Sequence, residues 1–158
     1  MQMADQHTPE ENLAALGLTL PQRSGPGANY VPSKRVGQMM YLSGVISTAD
    51  GQVITGLAGK DRSVEDGYKA ARACVLMILA ILRDELGSLS KVAEVVMFNG
   101  YVNAAPGFND SPEVINGASD LLVQVFGEAG RHARAALGLS ALPRNALVEV
   151  QMSVRVKD

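Results

Sequence analysis

The chain has 158 residues, 47% of them hydrophobic, with a formal net charge of −2 and a pI near 5.7. That length and apolar content suit one domain with a real core, and the charge supplies no positive field to gather nucleic acid or an anionic membrane. A single cysteine, Cys74, rules out an intramolecular disulfide and fits a reducing compartment.

The two histidines, His7 and His132, are far apart in sequence and no cysteine cluster accompanies them, so no metal-ligand spacing can be written down and no metal or cofactor is expected. The start "MQMADQHTPEENLAALGLTL" lacks the basic opening and long apolar stretch of a secretory signal, and no later segment reads as a membrane span. The expectation is a soluble, cytoplasmic protein with neither a membrane nor a nucleic-acid partner.

In "TPEENLAALG", Thr8 caps a short helix, Pro9 suits its first turn, acidic residues follow and Gly17 ends it. "LPQRSGPGANYVPS" then reads as a loop entering a first strand around Tyr30 to Lys34. Its "GPGAN" is glycine-rich but lacks the lysine and following helix of a phosphate loop. "QMMYLSGVIS" is a buried strand ending at Ser43 and Gly44. In "TADGQV", Asp50 and Gly51 signal a hairpin turn.

The strongest element runs from about Ser63 to Leu86. Ser63 with Asp66 three residues on is a capping box, and Gly87 stands where a helix C-terminus wants it. Val64, Tyr68, Ala71, Val75, Ile78 and Leu82 step by three or four, and Ala70, Ala73, Met77 and Ile81 widen the stripe. Such a face needs a sheet beneath it. Cys74 lies in this run and reads as a small buried apolar residue.

"KVAEVVMFNGYVN" is a nearly continuous apolar strand near a sheet centre. In "DSPEVINGASDLLVQVFGEAG", Ser111 is a ready N-cap, Pro112 fits the first helical position, and Val114, Ala118, Leu121, Leu122 and Val125 form the buried side. His132, beside Arg131 at the end of this helix, reads as a dipole or solubility residue. Two last strands follow, separated by "SALPRNA". The order β, β, long α, β, α, β, β implies an α+β fold with two main helices on one face of a mixed sheet. The other face, carrying alanine and valine, calls for a partner, and a homo-oligomer is expected.

Strand parity isolates two charges. On the penultimate strand Ala133, Ala135, Leu137 and Leu139 point one way and Arg134, Ala136, Gly138 and Ser140 the other. Arg134 therefore projects among very small side chains, and its planar fork of donors matches a carboxylate. On the last strand Val148, Val150, Met152, Val154 and Val156 share one face, while Glu149 lies with Leu147, Gln151, Ser153 and Arg155 on the other. From the residues alone, Arg134 and Glu149 are either a buried ion pair fixing strand pairing or the two poles of a ligand site.

"ARAALGLSALPRNALVEVQMSV", with "NYVPSKRVGQMMYLSGVIS" upstream, resembles the reactive intermediate (imine) deaminase family, the Rid or YjgF-like proteins. The likeness runs from about Gly25 to the C-terminus, which divides the chain into a 1–24 extension with its short helix and a 25–158 domain. It implies a chorismate-mutase-like α+β fold, a homotrimer with clefts at the subunit interfaces, and cofactor-free hydrolysis of 2-imino acids such as 2-aminoacrylate to 2-keto acids and ammonia. It also implies roles for five residues: Arg134 grips the substrate carboxylate, Glu149 stands near the attacking water, and Tyr30, Asn116 and Ser43 line the cleft.

This chain departs from that pattern. Ala136 replaces a cysteine common in the family and Gly138 a frequent carboxylate, and both changes are expected to enlarge and depolarise the pocket. Two other functions stay open at this level. One is a non-catalytic trimer that binds a small carboxylate or keto acid as sensor or scaffold. The other is the ribonuclease activity sometimes attached to the family, which the acidic pI disfavours.

Overall fold

In the computed structural model, which describes residues 7–23, 25 and 28–158, the first helix, α1, spans Pro9–Ala15. The start of the expected extension, residues 1–6, and Ser24, Pro26 and Gly27 of the glycine-rich loop lie outside the described residues. Thr8 caps α1 through the full capping box with Glu11. Leu13 is buried, and the Asn12 side chain donates to the Val125 carbonyl at 2.9 Å, so α1 is docked on the domain.

Glu10 ties α1 to a short 3-10 turn at Leu89–Lys91. Its Oε1 accepts from Ser88 Oγ at 2.9 Å and from the Leu89 N–H at 2.7 Å, and Oε2 accepts from Ser90 Oγ at 3.4 Å. Burial works against ionisation here, yet these hydrogen bonds outweigh it and hold the carboxyl below its usual range. A depressed folded pKa stabilises above the unfolded value of 4.5 and ceases to do so as pH falls through the folded one. Glu10→Ala is therefore expected to lose about 1 kcal/mol at pH 7, a figure discounted for solvent screening, and less at pH 3. Urea unfolding at the two pH values measures the difference.

Strands β1 (Ser33–Val36) and β2 (Met39–Leu42) form an antiparallel pair. The first strand begins after Tyr30 rather than at it. Pro32 has no N–H to donate to a ladder, and the Tyr30 N–H turns back to the Ala28 carbonyl. Strand β3 (Val45–Ile46) continues past Ser43 and Gly44. Strands β4 (Thr48–Ala49) and β5 (Gln52–Val53) close the expected hairpin, with Asp50 and Gly51 both at positive φ as a two-residue turn demands.

Helix α2 runs Val64–Leu86 between the Ser63 capping box and a left-handed Gly87. Strand β6 (Val92–Asn103) follows, then α3 (Ser111–Phe126), β7 (Ala133–Leu139) and β8 (Val148–Val156). The main sheet has the order β1-β2-β8-β6-β7, with β3 also on β8; β6 and β7 are parallel and the other pairs antiparallel. Ser111 is not the N-cap of α3. Asp110 takes that place without a side-chain bond, and Ser111 turns inward as the first helical residue, its buried Oγ without a hydrogen-bond partner among the described residues.

Helices α2 and α3 cover one face of the sheet, packing on Phe98, Val102, Val148, Val150, Met152 and Val154, all buried. Cys74 is buried there, its thiol 3.7 Å from the Val148 carbonyl and its pKa pushed up by burial. The other face is open. It carries Glu149, Gln151, Ser153 and Arg155 from β8, with Tyr41, Met97, Tyr101 and Leu137 in register beside them. Tyr41 is 50% exposed, Met97 42% and Leu137 51%, an apolar surface of the kind that marks an interface.

Candidate functional site

The chain from β6 to β7 crosses over through α3, and a crossover helix lies on the face of the two strands that it joins. Phe98, sealed under the helices, is the register partner of Arg134, so Arg134 projects on the helix face of the sheet. There its Nη1 donates to Asn116 Oδ1 at 2.8 Å and to Ser119 Oγ at 3.1 Å, both on α3. Asn116 is thus brought to Arg134, as the resemblance implies for a shared cleft. These two bonds use both hydrogens of Nη1 and leave the Nε and Nη2 edge as a fork of donors. Among the described residues no carboxylate lies within ion-pair distance of Arg134, and its side chain is exposed.

Behind Ser119 stands His132, whose part in this cluster the sequence reading missed. Its ring is half-buried, with its centroid 5.4 Å from that of Phe98. Nδ1 is 2.6 Å from the Gly130 carbonyl and Nε2 is 2.9 Å from Ser119 Oγ. Burial above all lowers its pKa; the Gly130 hydrogen bond opposes this and the charge of Arg134 assists it. A surface dipole role does not describe a ring held on three sides. The sequence signal that bears on it is parity: His132 precedes Arg134 by two and shares its face.

Glu149 occupies the opposite side of the sheet. It pairs with Tyr101 of β6 and Ile46 of β3, both on the open face. Its carboxylate lies over Gly44, close enough that a Cβ at that position would collide with Oε1. Burial, with no cation beside it within ion-pair reach among the described residues, raises its pKa above the ordinary carboxylate value. Ser43 adjoins Gly44, and its Oγ donates to the Val31 carbonyl at 2.6 Å, while its N–H donates to the Pro32 carbonyl at 2.9 Å. The main chain just after Tyr30 is therefore held beside the end of β2, with the Tyr30 ring exposed.

Of the five expected residues, Arg134 is bonded to Asn116, Glu149 lies over Gly44 next to Ser43, and Ser43 is bonded to the main chain just after Tyr30. In one chain Arg134 and Glu149 sit on strands separated by β6, roughly 10 Å apart laterally at ordinary strand spacing and on opposite faces. The buried Arg134 to Glu149 ion pair considered from sequence does not form. A recess of about 220 Å³ on the open face is lined by Tyr41, Leu42, Met97, Asn99, Gln151, Met152 and Ser153, and neither Glu149 nor Arg134 lines it.

Gly138 does not open the expected extra room. A Cβ there would lie 3.2 Å from both Ala104 Cβ and Ser111 Oγ, so the missing side chain permits close approach of α3 instead of leaving a void. Ala136 is partly buried against the core.

Residues 10–156 match the family described as "YjgF/chorismate_mutase-like, putative endoribonuclease". Protein TCP17 of Trypanosoma cruzi is 42% identical over 149 residues, 93% of each chain. The crystal structure of Atu1372 from Agrobacterium tumefaciens, a protein of unknown function, is 42% identical with a TM-score of 0.87, over 94% of this chain and 92% of that one. A "putative endoribonuclease" from Shewanella oneidensis is 34% identical with a TM-score of 0.92, over 95% of this chain and all of that one. The matched span begins at residue 10, within α1.

Proposed function

The chain belongs to the YjgF/chorismate-mutase-like family, and from that premise we propose that it hydrolyses reactive 2-imino acids, or their enamine tautomers, to 2-keto acids and ammonia. The observation that carries this reading is the guanidinium of Arg134, exposed, braced by Asn116 and Ser119, and facing no carboxylate among the described residues. A braced fork without a counter-ion is a receptor for an external carboxylate. The imine is already activated, so the protein has only to hold it and supply a water with a proton acceptor. Glu149 suits the second task, because its raised pKa makes it a stronger base than an ordinary carboxylate.

Water adds to C2 of the imine, giving up a proton to Glu149. Glu149 passes that proton to the nitrogen, completing the neutral carbinolamine; the carbinol hydroxyl then loses its own proton, again through Glu149 to the nitrogen, and the C2–N bond breaks to release ammonia as the C2=O bond of the keto acid forms. No electron transfer is involved, and residues of this chain suffice for each proton movement. Because Arg134 and Glu149 lie on opposite faces of one sheet, the proposal places the cleft between two copies. Arg134 and Asn116 of one copy would face Glu149, Ser43 and Tyr30 of a second. The exposed apolar side chains of Tyr41, Met97 and Leu137 supply the surface for that association, and a homotrimer is the arrangement proposed.

The test is release of keto acid from 2-aminoacrylate generated in situ by a dehydratase, with and without the protein. Acceleration above the spontaneous rate supports the reading, and an unchanged rate overturns it. Glu149→Gln is expected to lower kcat by roughly 10² to 10⁴-fold, the usual contribution of a general base. A carboxyl whose pKa is raised on folding destabilises as pH rises through the folded value. The same variant is therefore expected to be no less stable than the parent at pH 7, as thermal unfolding would show.

The separation of Arg134 and Glu149 within one chain also favours a second reading, a keto-acid binder without catalysis. It predicts thermal protection by 2-oxobutanoate with no effect on imine decay. The family description as an endoribonuclease finds less support in a chain of net charge −2.

A further inference from the structure

The contacts around His132 settle how its protons are arranged. The Gly130 carbonyl can only accept, so Nδ1 carries the hydrogen of that 2.6 Å bond. With the ring neutral, as its buried setting favours, Nε2 is a bare lone pair. At 2.9 Å the partner that fills it is the Ser119 hydroxyl, which must therefore donate to His132. That turns a lone pair of Ser119 Oγ towards Arg134 Nη1, 3.1 Å away. One direction of donation runs through the whole cluster, from Arg134 to Ser119, to His132, while His132 donates separately to the main chain of Gly130.

We propose that His132 is a positioning residue. Acting through Ser119, it orients the Arg134 guanidinium so that the Nε and Nη2 edge faces the bound carboxylate, and so sets the affinity of the site for 2-oxo and 2-imino acids. This rests on the reading of Arg134 as the carboxylate receptor. Without His132 the Ser119 hydroxyl is free to rotate towards the carbonyl one turn back along α3, and the bracing of Nη1 falls to Asn116 alone. His132 touches neither substrate nor water in this scheme, so its loss acts on binding: KM rises and kcat holds.

The test compares the parent with His132→Phe, which keeps a ring on Phe98, with Ser119→Ala, and with His132→Gln, whose amide oxygen can again accept from Ser119. Affinity for 2-oxobutanoate is measured by titration calorimetry, and the Nε–Hε signal of Arg134, assigned by its disappearance in Arg134→Lys, is followed by nitrogen-edited NMR. His132→Phe and Ser119→Ala are expected to weaken 2-oxobutanoate roughly tenfold, as loss of one bracing hydrogen bond does, and to shift or broaden the Arg134 signal. His132→Gln recovers part of both. Unchanged affinity and an unmoved Arg134 signal in His132→Phe overturn the proposal. If the parent itself fails to bind 2-oxobutanoate, the reading of Arg134 as receptor fails, and the Arg134 signal still decides positioning: moved in His132→Phe it stands, unmoved it falls.

Discussion

Arg134→Ala is expected to reduce kcat/KM for imine hydrolysis by roughly 10² to 10⁴-fold while leaving the unfolding midpoint almost unchanged. The loss follows from the donor geometry. The Nε and Nη2 edge left free by the two contacts of Nη1 offers two parallel charge-assisted hydrogen bonds to a carboxylate. Each such bond contributes about 1.5 to 3 kcal/mol, and about 1.4 kcal/mol corresponds to a factor of ten in rate. The fold survives because Arg134 lies on the edge strand, is exposed, and pairs with no protein carboxylate among the described residues. Arg134→Lys should recover little, since an ammonium cannot span Asn116, Ser119 and a bidentate ligand at once. Keto-acid release from 2-aminoacrylate and thermal unfolding of the same samples check both halves, and a fully active Arg134→Ala protein would remove this residue from the site.

Gly117→Ala is expected to have the opposite profile, a severe loss of stability from one added methyl. Helices α2 and α3 touch through their backbones at this point: a Cβ on Gly117 would overlap the Tyr68 carbonyl oxygen and come within 2.8 Å of its carbon and 3.0 Å of its Cα. A neighbour that is main chain cannot step aside by changing rotamer, so the helices must separate. Overpacking of this kind costs about 3 kcal/mol, which lowers the melting temperature of a chain this size by on the order of 10 °C. Gly67 marks the same crossing from the other helix, where a Cβ would meet both Cγ atoms of Val114 at 2.8 and 2.9 Å; that buried β-branched side chain has one favoured rotamer in a helix, so Gly67→Ala should also destabilise. The functional link is direct. Asn116 adjoins Gly117, and a displaced α3 takes both acceptors of Arg134 with it.

The elements whose cause is local were legible in the chain. Ser63 with Asp66 and Gly87 bounded α2, Asp50 with Gly51 closed a hairpin, and alternation separated the two faces of β7 and β8. Misjudged positions are those where a distant group decides. Ser111 had the chemistry of an N-cap, but the approach of β7 at Gly138 and of Ala104 buried its hydroxyl instead. Tyr30 had the composition of a strand residue, but Pro32 has no N–H to give the ladder and the Tyr30 N–H turns back to the Ala28 carbonyl. His132 read as a helix-end charge, and only the packing of Phe98 and α3 around it gives the ring its neutral, doubly bonded state.

What the amino-acid sequence by itself determined is therefore the set of elements, the family, and which residues of each strand travel together, because side-chain parity and capping act over two to four residues. The tertiary structure alone decided that Arg134 looks towards α3 while Glu149 looks away from it. That outcome depends on the β6 to α3 to β7 crossover and on the insertion of β6 between β7 and β8. Strand order is a long-range property, since the neighbours β6 and β8 are separated by 44 residues of chain (104–147) and β2 and β8 by 105 (43–147), and no local pattern records which face a crossover helix will cover.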